Sequence, residues 1–520
     1  MADSGSGRLM RAAATVGGFT MISRITGFAR DILIAAIVGA GPIGDAFFVA
    51  FKLPNFFRRL FAEGAFNAAF VPLFSGRLAR KGREAARLFA EDTAAVLLTV
   101  LFLLVAALQM AMPVAMIALA PGFTDDPATF GLAVELTRIT FPYLLFISLV
   151  SLFQGVLNST GRFAAAAATP ILLNLCLIAA LLLLVEHVPT AGHALAIGVF
   201  VAGAVQFLWL LHALHRAGLA LRLPRPRLTP GVKRVVALMA PAALGAGVVQ
   251  INLVIDIILA STLPEGSISY LFYADRISQL PIGVVGVAVG TALLPLLSRQ
   301  AASGQLDDAR LSLNRAIEFA LLLSIPAAAA CLVIPSVLVG ALFERGAFTP
   351  ADTAATAWAL AAYAWGLPAY VMVKVLGPAF FAREDTSTPV KIAVAAVAVN
   401  VVLNLILMGP MLHAGLALAT AIASWLNTAL LAYFAWRRGW LKPDRRLLWA
   451  LPKMFAAALI MAAALLFGAI ALDLRLPGGE LWRALSLAIL VAGAVAVYFG
   501  LGWILRLARP SDLRGLARGR

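Results

Sequence analysis

The chain has 520 residues, of which 62% are hydrophobic and only 13% charged, with a formal net charge of +16. Its mean hydropathy is +0.94. These values exclude a soluble domain and describe an all-α polytopic membrane protein.

Apolar segments of span length recur from end to end. They predict about fourteen transmembrane helices, near 12–39, 43–75, 86–120, 129–157, 163–185, 192–214 and 232–262, then 267–298, 311–343, 353–381, 388–409, 413–436, 447–471 and 482–507. Met1–Gly7 reads as a short polar lead-in without a signal-peptide pattern. No long polar insertion leaves room for a nucleotide-binding domain. The absence of G-x-x-x-x-G-K-[ST] argues against a self-powered ATPase.

The first two spans carry unusual charge. Between Ser23 and Ser75 stand Arg24, Arg30, Lys52, Arg58 and Arg59 against Asp31, Asp45 and Glu63. A charge at the bilayer centre costs roughly 2.5–3.5 kcal/mol on insertion scales, so such residues face a bundle interior or a wet cavity. The cations outnumber the carboxylates, and the simplest completion is an anionic ligand. Arg24 and Asp31 are one helical repeat apart, Arg59 and Glu63 are an i,i+4 pair, and Pro54 interrupts the backbone ladder between them. The competing reading is that these long side chains snorkel to the headgroups.

Topology follows from the loops. With the N-terminus inside, inner loops hold basic groups such as Arg77 to Arg87, Arg216 to Lys233 and Arg437 to Arg446, and the tail adds Arg509 to Arg520. Outer loops hold only Arg345 and Arg475, with acidic residues such as Asp125, Asp126, Glu265 and Glu480. Both termini are therefore expected in the cytoplasm. The same asymmetry explains the basic excess, so no nucleic-acid partner is expected.

An internal repeat is visible. Pro54 and Pro72 recur as Pro281 and Pro295, 227 and 223 residues on. Gly82 and Arg87 recur as Gly304 and Arg310, and Thr169-Pro170 as Thr388-Pro389. The pattern predicts two six-helix lobes, 1–220 and 221–440, and an appended pair of helices with a basic tail, 441–520. Six spans per copy is even, so both copies run the same way and a substrate site is expected between them. Arg276, at the second span of the second copy, is expected to face the cationic first lobe across that site.

Other polar residues carry less. Asp256 and Lys374 either line the same cavity or pair structurally. Glu135 and Arg138 read as a local i,i+3 pair. Asn174, Asn400 and Asn404 read as interhelical hydrogen-bonding groups. Cys176 and Cys331 lie in apolar spans and read as packing residues. The five histidines lack ligand spacing, and no metal, cofactor or catalytic constellation is expected. Several arginines in one low-dielectric cavity suit a pyrophosphate or sugar-phosphate, because guanidinium forks match phosphate geometry.

Three stretches carry a family resemblance. Ile22-Ser23-Arg24-Ile25-Thr26-Gly27-Phe28-Ala29-Arg30-Asp31, then Asp45 through Lys52-Leu53-Pro54-Asn55, then Arg58-Arg59-Leu60-Phe61-Ala62-Glu63-Gly64, closely resemble the MurJ (MviN) lipid II flippases. Tyr273-Ala274-Asp275-Arg276 is similar too, while Gln279 stands where some relatives carry Glu. The resemblance implies the multidrug/oligosaccharidyl-lipid/polysaccharide exporter fold in the bacterial cytoplasmic membrane. It also implies translocation of undecaprenyl-pyrophosphate-linked disaccharide pentapeptide to the outer leaflet, with membrane lipids and cell-wall synthesis machinery as partners. Arg24, Arg30, Asp45, Arg58 and Arg276 match the family's cavity residues, with Ser23, Arg59 and Glu63 in support. A flippase for another lipid-linked glycan and a non-transporting scaffold are the alternatives.

Overall fold

A computed structural model describes residues 3–59, 66–472 and 479–506, with side chains outside 3–14, 240–249, 284–292 and 480–481. Glu63 and the basic tail from 507 lie outside the described residues. Among the described residues the secondary structure is helical, joined by short connections and one longer linker at 219–229. Helices α1 (Asp3–Val38), α2 (Pro42–Phe57), α3 (Phe66–Met110), α4 (Met112–Leu119), α5 (Pro127–Thr140), α6 (Tyr143–Ser159), α7 (Phe163–Leu183), α8 (Ala191–Arg216) and α9 (Pro230–Ser261) come first. They are followed by α10 (Ser267–Ala302), α11 (Leu306–Val333), α12 (Pro335–Phe343), α13 (Pro350–Ala364), α14 (Leu367–Phe381), α15 (Ser387–Arg437), α16 (Arg445–Ala471) and α17 (Glu480–Ile504).

Among the described residues, eight helical stretches are long and apolar enough to cross a membrane, or nine if α13 and α14, bent by 41°, form one span. The sequence pattern predicts more, and the helices show why. α15 runs 51 residues but breaks at Leu412, whose φ is +49°. There the chain doubles back so tightly that a Cβ on Gly415 would stand 2.3 Å from the Leu407 carbonyl oxygen. One helix thus holds two of the expected spans. α3 breaks likewise at Gly82 (φ +80°), and Phe70 and Phe89 stack at 5.5 Å across the break. α1 carries Arg24, Arg30 and Asp31 along its length, and α2 is only 16 residues long.

Loop edges are sealed by side-chain caps. Asp126, Thr190, Thr229 and Asp444 accept first-turn N–H groups of α5, α8, α9 and α16, and Thr349 and Asp352 form a capping box on α13. Between the caps the surface is apolar: Leu103, Leu183, Ile406, Leu459 and Phe467 are all exposed, as suits helices facing lipid.

Contacts divide the chain into two compact units, Met1–Ser269 with Arg345–Phe348, and Tyr270–Glu344 with Thr349–Arg520. In the first, α1 lies on α7, α7 on α8, α2 on α5 and α3 on α6. α9, which the repeat pattern assigns to the start of the second lobe, packs here on α3 and α4. Two glycines bring backbones into contact. A Cβ on Gly122 would stand 2.0 Å from the Ser261 oxygen at the end of α9, and one on Gly346 would stand 2.1 Å from the Ala36 oxygen near the end of α1. The Ala347 N–H donates to that same Ala36 oxygen at 2.8 Å. In the second unit, α11 packs on α14 and α16, and α16 on α17, around Leu313, Ile317, Val375 and Phe380, and around Met454, Met461 and Tyr498.

Candidate functional site

The charged stripe of α1 resolves into one locked arginine and one exposed arginine. Arg30 donates through Nε and Nη2 to Asp31 Oδ1, at 3.0 and 2.5 Å, and through Nη1 to Asn174 Oδ1 on α7 at 2.9 Å. The same Asn174 amide donates to the Ser23 carbonyl at 3.0 Å and to Thr26 Oγ1 at 3.2 Å. Gly27 makes this possible, since a Cβ there would stand 3.3 Å from Asn174 Nδ2. One amide therefore reads the whole 23–30 turn. Arg24 is exposed and, among the described residues, makes no ion pair.

Asp45 is almost fully buried, at 4% exposure. Its carboxylate accepts from the Gly266 and Ser269 N–H groups, at 2.7 and 2.8 Å, and from the Ser269 hydroxyl at 2.6 Å. A buried carboxylate needs such donors. Here it ties α2 to the 266–269 segment, which sequence spacing did not anticipate.

Prolines in α2 and α7 each free a backbone carbonyl, and Pro170 of α7 lines a cavity. Pro54 has no N–H for the Ala50 carbonyl, and Thr140 Oγ1 donates to that carbonyl instead, at 3.1 Å. Pro170 leaves the Ala166 carbonyl in the same state. Gln154 Nε2 and Thr169 Oγ1 donate to it at 3.3 and 2.8 Å. Gln206 Nε2 donates to the Thr169 carbonyl at 2.7 Å, and the Tyr143 hydroxyl donates to Gln206 Oε1 at 3.4 Å. These groups line a cavity of about 340 Å³ together with Ser151 and Arg58. Arg58 follows the end of α2, half-buried, with Nε donating to Asn55 Oδ1 at 3.0 Å. Arg59 beside it is exposed.

The candidate residues thus fall into separate places. Ser23 and Arg30 meet at Asn174, Arg58 meets the polar wall of α6 to α8, and Asp45 meets 266–269. Arg276 is in the second unit, half-buried, with its guanidinium carbon 4.6 Å from the Phe272 ring centroid. Nearby, Gln279 Nε2 donates to Asp275 Oδ2 at 2.5 Å. The wall residues Gln154, Thr169 and Gln206 were not among the candidates, although an amide or hydroxyl near a mid-span proline is a signal for them. Glu135 does not pair with Arg138: its carboxylate lies 3.4 Å from His193 Nε2 on α8.

The family model for "Lipid II flippase MurJ" matches residues 34–481. A protein of Rhizobium meliloti (strain 1021) named "Probable lipid II flippase MurJ" is 46% identical over 519 residues, covering 98% of this chain and 97% of that protein. Among solved structures, "Lipid II flippase MurJ, inward closed conformation" is 26% identical, with a TM-score of 0.77 over 94% of this chain and 98% of that one. An inward-facing multidrug resistance MATE transporter of the MOP superfamily shares the fold at 16% identity, with a TM-score of 0.66 over 82% and 98%. A family model spanning most of the chain and a full-length relative at this identity establish membership: the chain belongs to the lipid II flippase MurJ family.

Proposed function

We propose that this protein translocates lipid II, the undecaprenyl-pyrophosphate-linked disaccharide pentapeptide, from the inner to the outer leaflet of the bacterial cytoplasmic membrane by alternating access. Full-length family membership carries the reading, and the guanidinium of Arg58 on a polar, proline-shaped cavity supports it chemically. The architecture we assign is fourteen spans with both termini cytoplasmic, two six-helix lobes and an appended C-terminal pair.

In this scheme Arg24, Arg58 and Arg276 meet the pyrophosphate, with Arg59 and Glu63 in support. Arg30 and Ser23 hold the α1 turn through Asn174, and Asp45 anchors α2. Guanidinium forks suit the pyrophosphate oxygens, and neutralising them in a low-dielectric cavity favours one arrangement of the lobes over the other. Polyprenyl carbons stay in lipid throughout. No bond is made or broken, so the protein acts as a transporter and not as an enzyme, alongside the cell-wall synthesis machinery. Each charge moved across the membrane field couples to it by about 2.3 kcal/mol per 100 mV.

Complementation tests the reading. Cells depleted of their own lipid II flippase should recover growth and surface-exposed lipid II when given this chain. Arg24→Ala and Arg276→Ala variants should reach the membrane in normal amounts and fail to rescue. Normal lipid II exposure in either well-expressed variant would remove that arginine from the mechanism. Good expression of the parent chain without rescue would turn the assignment toward another lipid-linked glycan.

A further inference from the structure

A second cationic feature of the first unit lies where α3 meets α9. Arg77, in the first half of α3, stacks on Phe89 with its guanidinium carbon 3.8 Å from the ring centroid. The guanidinium is seated against α9, where a Cβ on Gly231 would stand 2.4 Å from Arg77 Nη2. Arg234, one turn further along α9, is near enough for its like charge to act on Arg77.

Neighbouring carboxylates do not compensate this pair. Glu91 accepts from the Arg222 N–H at 2.8 Å and faces Arg87, and Glu84 pairs with Arg87 at 2.7 Å. Among the described residues, neither Arg77 nor Arg234 makes an ion pair. Lys233, Arg225 and Arg227 are exposed around them. On the same linker, Leu223 and Leu228 are 63% and 62% exposed. Orientation of the chain in a membrane needs only a count of charges. It does not need a guanidinium held between a phenyl ring and a glycine backbone beside a second guanidinium. Such an arrangement concentrates repulsion unless an anion divides it.

We propose that Arg77 and Arg234 form a binding site for the phosphate of a resident anionic phospholipid, with Leu223 and Leu228 entering the acyl boundary beside its headgroup. A lipid suits the place better than a free phosphate, because exposed leucines share the linker with the cations and α9 enters its apolar run immediately beyond. The inference rests on the chain spanning a membrane and not on which substrate it moves.

The test uses the purified full chain and native mass spectrometry with phosphatidylglycerol or phosphatidylcholine added. The parent chain should retain phosphatidylglycerol selectively and gain thermal stability from it. The double variant Arg77→Gln/Arg234→Gln should retain it about thirtyfold more weakly, as expected for two surface cations lost. Arg77→Lys should keep most of the binding. Without anionic lipid, the double variant should melt no lower than the parent, because a repulsive pair has been removed. Equal phosphatidylglycerol retention by parent and double variant would overturn the proposal. So would a lower melting temperature of the double variant in zwitterionic detergent, which would mark a structural role. Binding of undecaprenyl pyrophosphate at these arginines in place of phosphatidylglycerol would overturn it too. None of these readouts involves transport, so they stand or fall apart from the lipid II assignment.

Discussion

The Gly82 end of the first unit and the Gly304 end of the second share their backbone devices and differ in their charges. In the first, α3 breaks at Gly82 (φ +80°), the helix α8 ends at Gly218 (φ +68°), and buried Glu91 accepts the N–H of Arg222. In the second, the break falls at Gly304 (φ +70°), α15 ends at Gly439 (φ +71°), and Asn314, 223 residues after Glu91, donates to the Lys442 carbonyl at 2.8 Å. Both anchors hold the outgoing linker at the same point, one as an acceptor and the other as a donor. Around the second anchor three arginines are paired with carboxylates: Arg315 with Glu318 and Asp444, Arg446 with Glu318, and Arg438 with Asp385. Trp440 adds a ring to Arg383 and Arg438, at 4.8 and 4.9 Å. Around the first anchor, among the described residues, Arg77 and Arg234 make no ion pair. The two units share the glycines and the linker anchors, which shape the backbone, and differ in the charges around them.

The largest expected effect concerns the two close backbone approaches within the first unit. Gly122→Ala and Gly346→Ala each place a Cβ within about 2 Å of a carbonyl oxygen. Each should cost about 3 kcal/mol or more, seen as loss of monodisperse protein or a lower melting temperature in detergent. Gly346, at φ +56°, should suffer more. Tolerance at one site and not the other would mean that the two close approaches are not equivalent.

A smaller effect separates the two anchors. Glu91→Ala removes a charged acceptor from a buried N–H and should cost about 2 kcal/mol, against about 1 kcal/mol for Asn314→Ala. Equal losses in thermal melts would show that anchor charge does not matter.

The smallest effect concerns pH. Burial raises the Asp385 pKa, but this is outweighed by donation from the Thr388 N–H, from Arg438 and from the Thr388 hydroxyl, and the carboxyl is pulled down to about 2. Its folded pKa is below its ordinary value, so its contribution is complete above about pH 4 and fades as pH falls through about 2. Asp385→Asn should therefore lower the melting temperature by the same amount at pH 7 and at pH 5. A gap that closes between those two values would refute the pairing.

Much of this was legible in the sequence. Helical class, the repeat markers and the cationic start all follow from residue type and spacing. Asn174 could be read as an interhelical group, although its partners could not. What stayed hidden depends on tertiary approach. Asp45 finds its donors more than 220 residues away, beyond any local pattern. Glu135 meets a histidine on α8 in place of the arginine one turn along. Gln154 and Gln206 drew no attention because uncharged amides leave no mark on a charge count. Pro170, which frees the Ala166 carbonyl that Gln154 reaches, was visible.

The Pro170 region of α7 also sets the chemical sense of the cavity. Both amide hydrogens of Gln154, one of Gln206, and the hydroxyl hydrogens of Thr169 and Tyr143 are consumed inside the wall. What these four side chains still hold out is chiefly lone pairs. An occupant rich in N–H and O–H groups is therefore solvated along the wall, while its anionic part is drawn toward Arg58. A compact polyanion finds that one cation and, otherwise, a surface of its own polarity. By repairing its own backbone, the wall is left presenting acceptors to the cavity beside the Arg58 guanidinium.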